Sequence, residues 1–366
     1  MIVRVFGLSA LVTLASLAAA FAYRGWTGLA LCAILGILEV SLSFDNAVIN
    51  ATVLERMSDF WQRMFLTVGV LIAVFGMRLF FPLAVVWATA GLAPAEAFRL
   101  AMNPPPDGAD HFADGSPSYE VILQEANPQI AAFGGMFLLL LFLNFVFSDR
   151  ERTWLTWLER PLAAIGKLDQ LAVVIAAATL LAVAEFLAPD DKVATVLVAG
   201  LLGLITYILV DGLSSLFAID GPDHDGTAPP TAVTRAVGKA GFFLFLYLEI
   251  LDASFSFDGV IGAFAITSDP ILIALGLGFI GAMFVRSITI YLVRRGTLAQ
   301  YRYLEHGAHW AIGALAVILL LSVKVHIPEL VTGLIGVAFI GASLFSSIRA
   351  NRREAQTVHA TTGSIG

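Results

Sequence analysis

Two strings of the chain share one order of residue types, acid–x–Ser–x–Ser–Phe–Asp. They are Leu38-Glu39-Val40-Ser41-Leu42-Ser43-Phe44-Asp45 and Leu251-Asp252-Ala253-Ser254-Phe255-Ser256-Phe257-Asp258. Each lies inside a long apolar run. An ionisable side chain at bilayer depth costs about 2.5–3.5 kcal/mol on insertion scales, and where it persists it pairs, carries protons or binds something. Further oxygen donors gather in the same runs: Glu249, Asp211, Asn46, Asn50 and Asn144, with Glu185 near a run's end. Six acids (Glu39, Asp45, Asp211, Glu249, Asp252, Asp258) face only two arginines, Arg78 and Arg286, at that depth. The excess of negative charge needs protons or a metal cation for neutrality. Carboxylate, amide and hydroxyl oxygens without thiolate suit Mg, Ca or Mn. Protonation of some of the acids supplies an exchange partner. The spacing therefore points to cation/proton exchange, with Glu39, Asp45, Asn46, Glu249, Asp252 and Asp258 as candidate metal-handling residues. Ser43, Ser256, Arg78, Arg286, Asp211 and Asn144 are read as supporting them. No residue is assigned to catalysis, no soluble cofactor fingerprint occurs, and the divalent cation is a substrate.

Single polar residues need less. One such side chain in a membrane helix often bonds a neighbouring helix, and Asn144 and Ser254 fit that role. Arg78 and Arg286 read as fixed partners of the acids. His306 and His309 open an apolar run beside Glu305 and read as interfacial, with a ligand or relay role as the other reading. Gly200/Gly203, Gly278/Gly281 and Gly333/Gly336 are close-packing positions.

The elements that must position these residues follow from composition. Of 366 residues, 58% are hydrophobic and 13% charged, against about 25% charged in a soluble domain. The pattern is that of a polytopic membrane protein whose length is consumed by spans. A net charge of −7 argues against nucleic acid as a partner. Cys32 is the one cysteine, so an internal disulfide and a thiolate cluster are excluded.

Apolar runs of membrane-crossing length predict ten helices: 2–22, 28–52, 64–90, 130–148, 170–188, 193–218, 237–266, 271–294, 306–324 and 329–348. Alternating the connections puts fifteen basic residues on the N-terminal side and four on the other, with two inside spans, of 21 in all. The positive-inside rule then places both termini in the cytoplasm of a cell (inner) membrane. A signal-peptide reading of the first run stays open and leaves the remaining orientation unchanged. The 91–129 connection, with Pro104-Pro105-Pro106 and several acids, forms a long outer loop, mobile or a cation-collecting vestibule. Residues 220–235 read as a cytoplasmic linker, and 349–366 as a disordered cytoplasmic tail.

The two strings sit on the second and seventh spans, an offset of five, so they cross in opposite directions. Residues 1–190 and 191–348 then form two membrane repeats, and the predicted architecture is an all-α, polytopic transmembrane helix bundle of about ten spans as an inverted five-plus-five repeat. Such repeats are characteristic of transporters with a midplane site between discontinuous helices. On an ideal helix Glu39, Ser43, Asn46 and Asn50 share a stripe, as do Glu249, Asp252, Ser256 and Gly259. Asp45-Asn46 and Asp258-Gly259 are poor interior-helix pairs, and local unwinding is expected there.

Glu39 to Val48 resembles the first signature of the TerC-like integral membrane proteins, and Asp252 to Val260 resembles its partner. Leu304-Glu305-His306-Gly307-Ala308-His309 is similar to the branch of that group described as a domain of unknown function. The resemblance covers residues 28–348. It implies an association with tellurium resistance and, for several members, manganese export from the cytoplasm. By position it implies metal handling at Glu39, Asp45, Asp252 and Asp258, with Asn46 beside them. The chain departs from the pattern at Gly259, where the first copy has Asn46, and in the 91–129 loop. Three other readings stand beside the exporter: an exporter of small organic solutes such as amino acids, a tellurium-resistance scaffold, and an intramembrane aspartyl protease using Asp45 and Asp258. Expected partners are the bilayer and the metal ion, with a homo-oligomer or other membrane proteins as further options.

Overall fold

The computed structural model describes residues 2–42, 44–105, 109–150, 152–168, 170–219, 236–264, 266–267, 269–294, 301–325 and 327–362. Every regular element among the described residues is helical. Hydrocarbon offers backbone groups no water, and a helix satisfies them within its own segment. In chain order the elements are α1 (Ile2–Leu42), α2 (Phe44–Leu54), α3 (Asp59–Met64), two π-helical segments (Phe65–Gly69 and Ile72–Phe80), α4 (Phe81–Ala90), α5 (Pro94–Met102) and α6 (Tyr119–Phe147). There follow α7 (Thr156–Ile165), α8 (Leu171–Phe186), α9 (Val193–Ile219), α10 (Gly238–Phe264), α11 (Pro270–Ile273), a third π-helical segment (Ala274–Gly281) and α12 (Ala282–Arg294). The chain closes with α13 (Leu304–Ser322) and α14 (Glu329–Thr362).

Six helices among the described residues are long and apolar enough to cross a membrane, or up to seven if the bent pair Asp59–Gly69 and Ile72–Trp87 is one span. The chain is an all-helical membrane protein. One of the six, the run Val5–Val40, doubles back. Arg24 and Gly25 leave helical geometry, Gly25 with φ 61°. Cys32 Sγ lies 4.0 Å from Ser16 O, and a Cβ on Gly28 would collide with Ala20 O. Residues sixteen apart on a straight helix would stand about 24 Å apart at 1.5 Å per residue. The run is thus a hairpin of two antiparallel arms turning at Arg24-Gly25.

The turn of that hairpin is tied to the start of α11. Asp269 caps α11 by accepting from the N–H groups of Ile271 and Leu272, and pairs with Arg24 at 3.1 Å. Other connections are tied in the same way, in two sets. In one set with Arg24–Asp269, Lys192 Nζ donates to Glu125 O and Lys324 Nζ to Phe186 O. In the other, Arg56 and Arg150 both reach Glu305 at 3.3 Å, Ser58 N–H donates to Ala236 O, and Arg302 donates to Asn351.

α6 is the central post. Its residues Met136, Phe137, Leu138 and Leu140 are fully buried against α8, α9, α10 and α13. Glycines let these helices close: a Cβ on Gly203 would strike Phe133 O, and one on Gly313 would lie 2.6 Å from the Phe142 ring. Small residues at such crossings are how membrane helices pack without a hydrophobic drive between them.

The backbone departs from the sequence reading in three places. The pairs Asp45-Asn46 and Asp258-Gly259 are both helical, within α2 and an unbroken α10. A poor helix former costs at most about 1 kcal/mol, whereas each unsatisfied backbone group in hydrocarbon costs several, so the helix survives. The irregularity falls instead on the helix after each string, as π-helical turns. The 91–129 connection carries α5 and the first turns of α6, which starts at Tyr119 rather than 130 because Ser118 Oγ caps it, accepting from Val121 N–H. α14 runs to Thr362, through a stretch (349–362) free of Pro and Gly that the sequence assigns to a tail. The linker 220–235 lies outside the described residues.

Candidate functional site

The site is built where the two strings meet. Glu39, on the second arm of α1, is 4% exposed. Its carboxylate receives Arg78 Nη2 at 2.5 Å. Arg78 projects from the second π-helical segment, and its Nη1 donates to Ala73 O, five residues back. That carbonyl is within reach because π turns displace the ordinary four-residue hydrogen-bond pattern. Arg78 Nε has no hydrogen-bond partner among the described residues.

The second string answers from α10. Asp252 lies within electrostatic reach of both Arg78 and Glu39 and hydrogen-bonds Asn50 of α2. Asn50 is 1% exposed, and its Oδ1 is unpartnered among the described residues. Glu249, one helical turn before Asp252, is buried, and its Oε1 is likewise unpartnered. A Cβ on Gly259 would rest 3.4 Å from Glu39 Oε2. The acid of the first string therefore reaches the backbone that follows Asp258 in the second.

Glu39 of the first string and Glu249, just before the second, each nest on a glycine of a π-helical segment that follows the other string. A Cβ at Gly281 would overlap Glu39 Cγ, and one at Gly69 would overlap Glu249 Oε1. α1 packs on the segment Ala274–Gly281, which holds Gly281, and α10 packs on the segment Ile72–Phe80, just past Gly69. Between these elements lies a cavity of about 30 Å³, lined by Asn46, Asn50, Arg78, Asp252, Arg286 and Thr289 among others. That volume has room for about two waters or a bare ion, since one water needs some 10–15 Å³. Arg286 lines it from α12 and donates from Nε to Leu66 O at 2.6 Å.

The structure brings together Glu39, Asn46, Arg78, Glu249, Asp252 and Arg286. The α2 and α10 backbones at Asp45 and Asp258 are helical, but both side chains, and that of Ser256, lie outside the described residues, as does Ser43 altogether. Asp211 is exposed on α9, near Tyr207, Tyr247 and Arg56, and is not part of the cluster. Asn144 donates to Tyr207 Oη at 3.1 Å and ties α6 to α9. Ser254 Oγ bonds back to Ile250 O against Gly134. Among the described residues no group of three or more His, Cys, Asp or Glu is disposed to hold a metal. Sequence reasoning missed Thr289 and Gly69. Both sit in apolar runs with no repeated neighbour to flag them.

His306 and His309 belong elsewhere, at the bundle end that holds Glu305. His306 Nδ1 pairs with Glu159 at 3.2 Å. His309 stacks on Phe145, with 3.7 Å between ring centroids, and its Nδ1 meets Glu305 O.

Fold and site together define a helical integral membrane protein with a carboxylate–guanidinium cluster buried among its helices. The chain belongs to the family described as Protein of unknown function (DUF475), which it matches over residues 44–354. No curated protein and no solved structure matches it.

Proposed function

We propose that the protein is a membrane transporter that moves a hard divalent cation, manganese by preference, in exchange for protons at the Glu39–Asp252 cluster. One observation carries the reading: carboxylates from both strings converge on one guanidinium beside a cavity of about 30 Å³. Glu39, Glu249 and Asp252 with Asp45 and Asp258 count five acids against Arg78 and Arg286 in these segments. Neutrality at this depth calls for bound cations, and protons and a metal ion compete for the same oxygens. A cavity of this size suits an ion better than an organic solute. The TerC-like resemblance of the paired strings is what selects manganese.

The same proposal takes the chain as a ten-pass inverted repeat. The hairpin in α1 adds a pass, the two sets of connection contacts coincide with the two faces of a ten-pass chain, and the π-helical segments follow both strings. The positive-inside rule puts the Glu305 set in the cytoplasm, with both termini, in the inner membrane. The reading assigns no chemical reaction to the protein.

The test is cellular metal. A deletion strain should accumulate manganese, and the wild-type copy should restore the normal level while Asp252→Asn should not. Equal manganese in deletion and parent strains rules the proposal out.

A further inference from the structure

A second, larger cavity of about 270 Å³ opens at the bundle end that holds Glu305. It lies between the end of α6, the connection to α7, α7 itself and the first turn of α13. The cluster described above contributes nothing to it. Arg150, Arg160 and Lys167 line it with the hydroxyls of Ser148 and Thr153. Arg160 and Lys167 have no ion-pair partner among the described residues.

Of the two acids on the lining, Glu159 is already spent. It is buried and accepts from Trp310 Nε1 at 3.0 Å and from the N–H groups of Trp154 and Leu155, besides pairing with His306. Asp149 is exposed at the rim. Arg150 is held in place: its guanidinium stacks 3.8 Å over the Phe145 ring, and Nε donates to Ser148 Oγ. A Cβ at Gly166 would overlap Phe147 O, so the end of α7 sits hard against the end of α6. Arg150 Nη1 also reaches Glu305 at 3.3 Å, so the cavity is a fixed basin whose spare positive charge lies on Arg160 and Lys167.

Its surroundings say what fills it. Beside the basin α7 and the turn after it expose Trp157 (76%), Ile165 (52%) and Leu168 (63%). Apolar side chains with a tryptophan, next to unpaired cations, are how a short helix lies at headgroup depth. Basic pockets between membrane helices recognise anionic headgroups by the same chemistry that binds any phosphate. We propose that this basin binds the phosphate of an anionic phospholipid headgroup, with Arg160 and Lys167 as its cations and Arg150, held by Glu305 and Phe145, beside them.

The experiment uses the full-length protein in neutral detergent. Its thermal unfolding is followed while phosphatidylglycerol, cardiolipin, phosphatidylcholine or inorganic phosphate is added. The anionic lipids should stabilise the protein and phosphatidylcholine should not. Arg160→Gln and Lys167→Gln, both at exposed positions, should each weaken the anionic-lipid effect about fivefold, from about one surface cation's attraction per residue. Arg160→Lys should retain most of it. The proposal is overturned if phosphatidylcholine protects equally, if both Gln variants keep wild-type sensitivity, or if inorganic phosphate protects and the anionic lipids add nothing.

Discussion

Replacing Arg78 by Met should cost more than replacing its partner Glu39 by Gln. The pair is held at 2.5 Å with both side chains under a tenth exposed, and Asp252 leans on the same guanidinium. With charge centres about 4 Å apart and an effective dielectric of about 20, one such attraction is worth about 4 kcal/mol. Arg78→Met leaves two neighbouring carboxylates without a cation, and breaking a buried pair this way costs about 3–5 kcal/mol. Glu39→Gln keeps a hydrogen-bond acceptor and leaves Arg78 to Asp252, so its cost falls to about 1.5–3 kcal/mol, the worth of a hydrogen bond to a charged group. The double variant has fewer uncompensated charges than Arg78→Met alone and should be more stable than it. Reversible unfolding of the purified protein by SDS in mixed micelles reads all three. Strict additivity of the two single costs, or Glu39→Gln as the more damaging change, would refute the reasoning.

Other outcomes follow from the same contacts. Gly281→Val and Gly69→Val should each lower stability and manganese tolerance, because their side chains would occupy the space of Glu39 Cγ and Glu249 Oε1; a fully active Gly281→Val protein contradicts the nesting. Cys32 is fully buried and should resist maleimide in the folded protein, so single cysteines can map sidedness. Ser116→Cys should label from outside intact cells and Thr156→Cys only after permeabilisation; labelling of both from one side rejects the proposed orientation. In the 91–129 connection, Ser116 donates from Oγ (2.6 Å) and N–H (3.0 Å) to Asp114, which holds that carboxyl below its usual range. A depressed folded value means the contribution is present at neutral pH and is lost as pH falls through it. Ser116→Ala should move the Asp114 carboxyl titration upward by NMR, and an unmoved titration contradicts this.

The acids were legible because a charge in hydrocarbon is conspicuous and here it is written twice. That Arg78 partners a buried acid was legible for a related reason, since few cations lie at that depth; that the acid is Glu39 was not. What escaped was whatever depends on the backbone's neighbours. Unwinding at Asp258-Gly259 looked reasonable from propensity, yet a lipid environment penalises open backbone more than it penalises a glycine, and α10 runs through. The strain went to π turns in the apolar stretches 65–80 and 274–281, where no residue type announces them. Gly69 resembles any packing glycine in the sequence, and only its apposition to Glu249 shows why the site needs it. Asp211 carries the same charge as the clustered acids, but its face of α9 turns away from them, a matter of helix rotation that one sequence does not encode plainly.

The central claim is an exchange of protons for a divalent cation at the Glu39–Asp252 cluster. Purified protein in liposomes, given a pH gradient and external or internal Mn²⁺, measures it directly. Wild-type vesicles should move Mn²⁺ against the proton flow, and Asp252→Asn vesicles of equal protein content should not. Wild-type vesicles that hold their gradient and their manganese unchanged, with the protein folded, would contradict it.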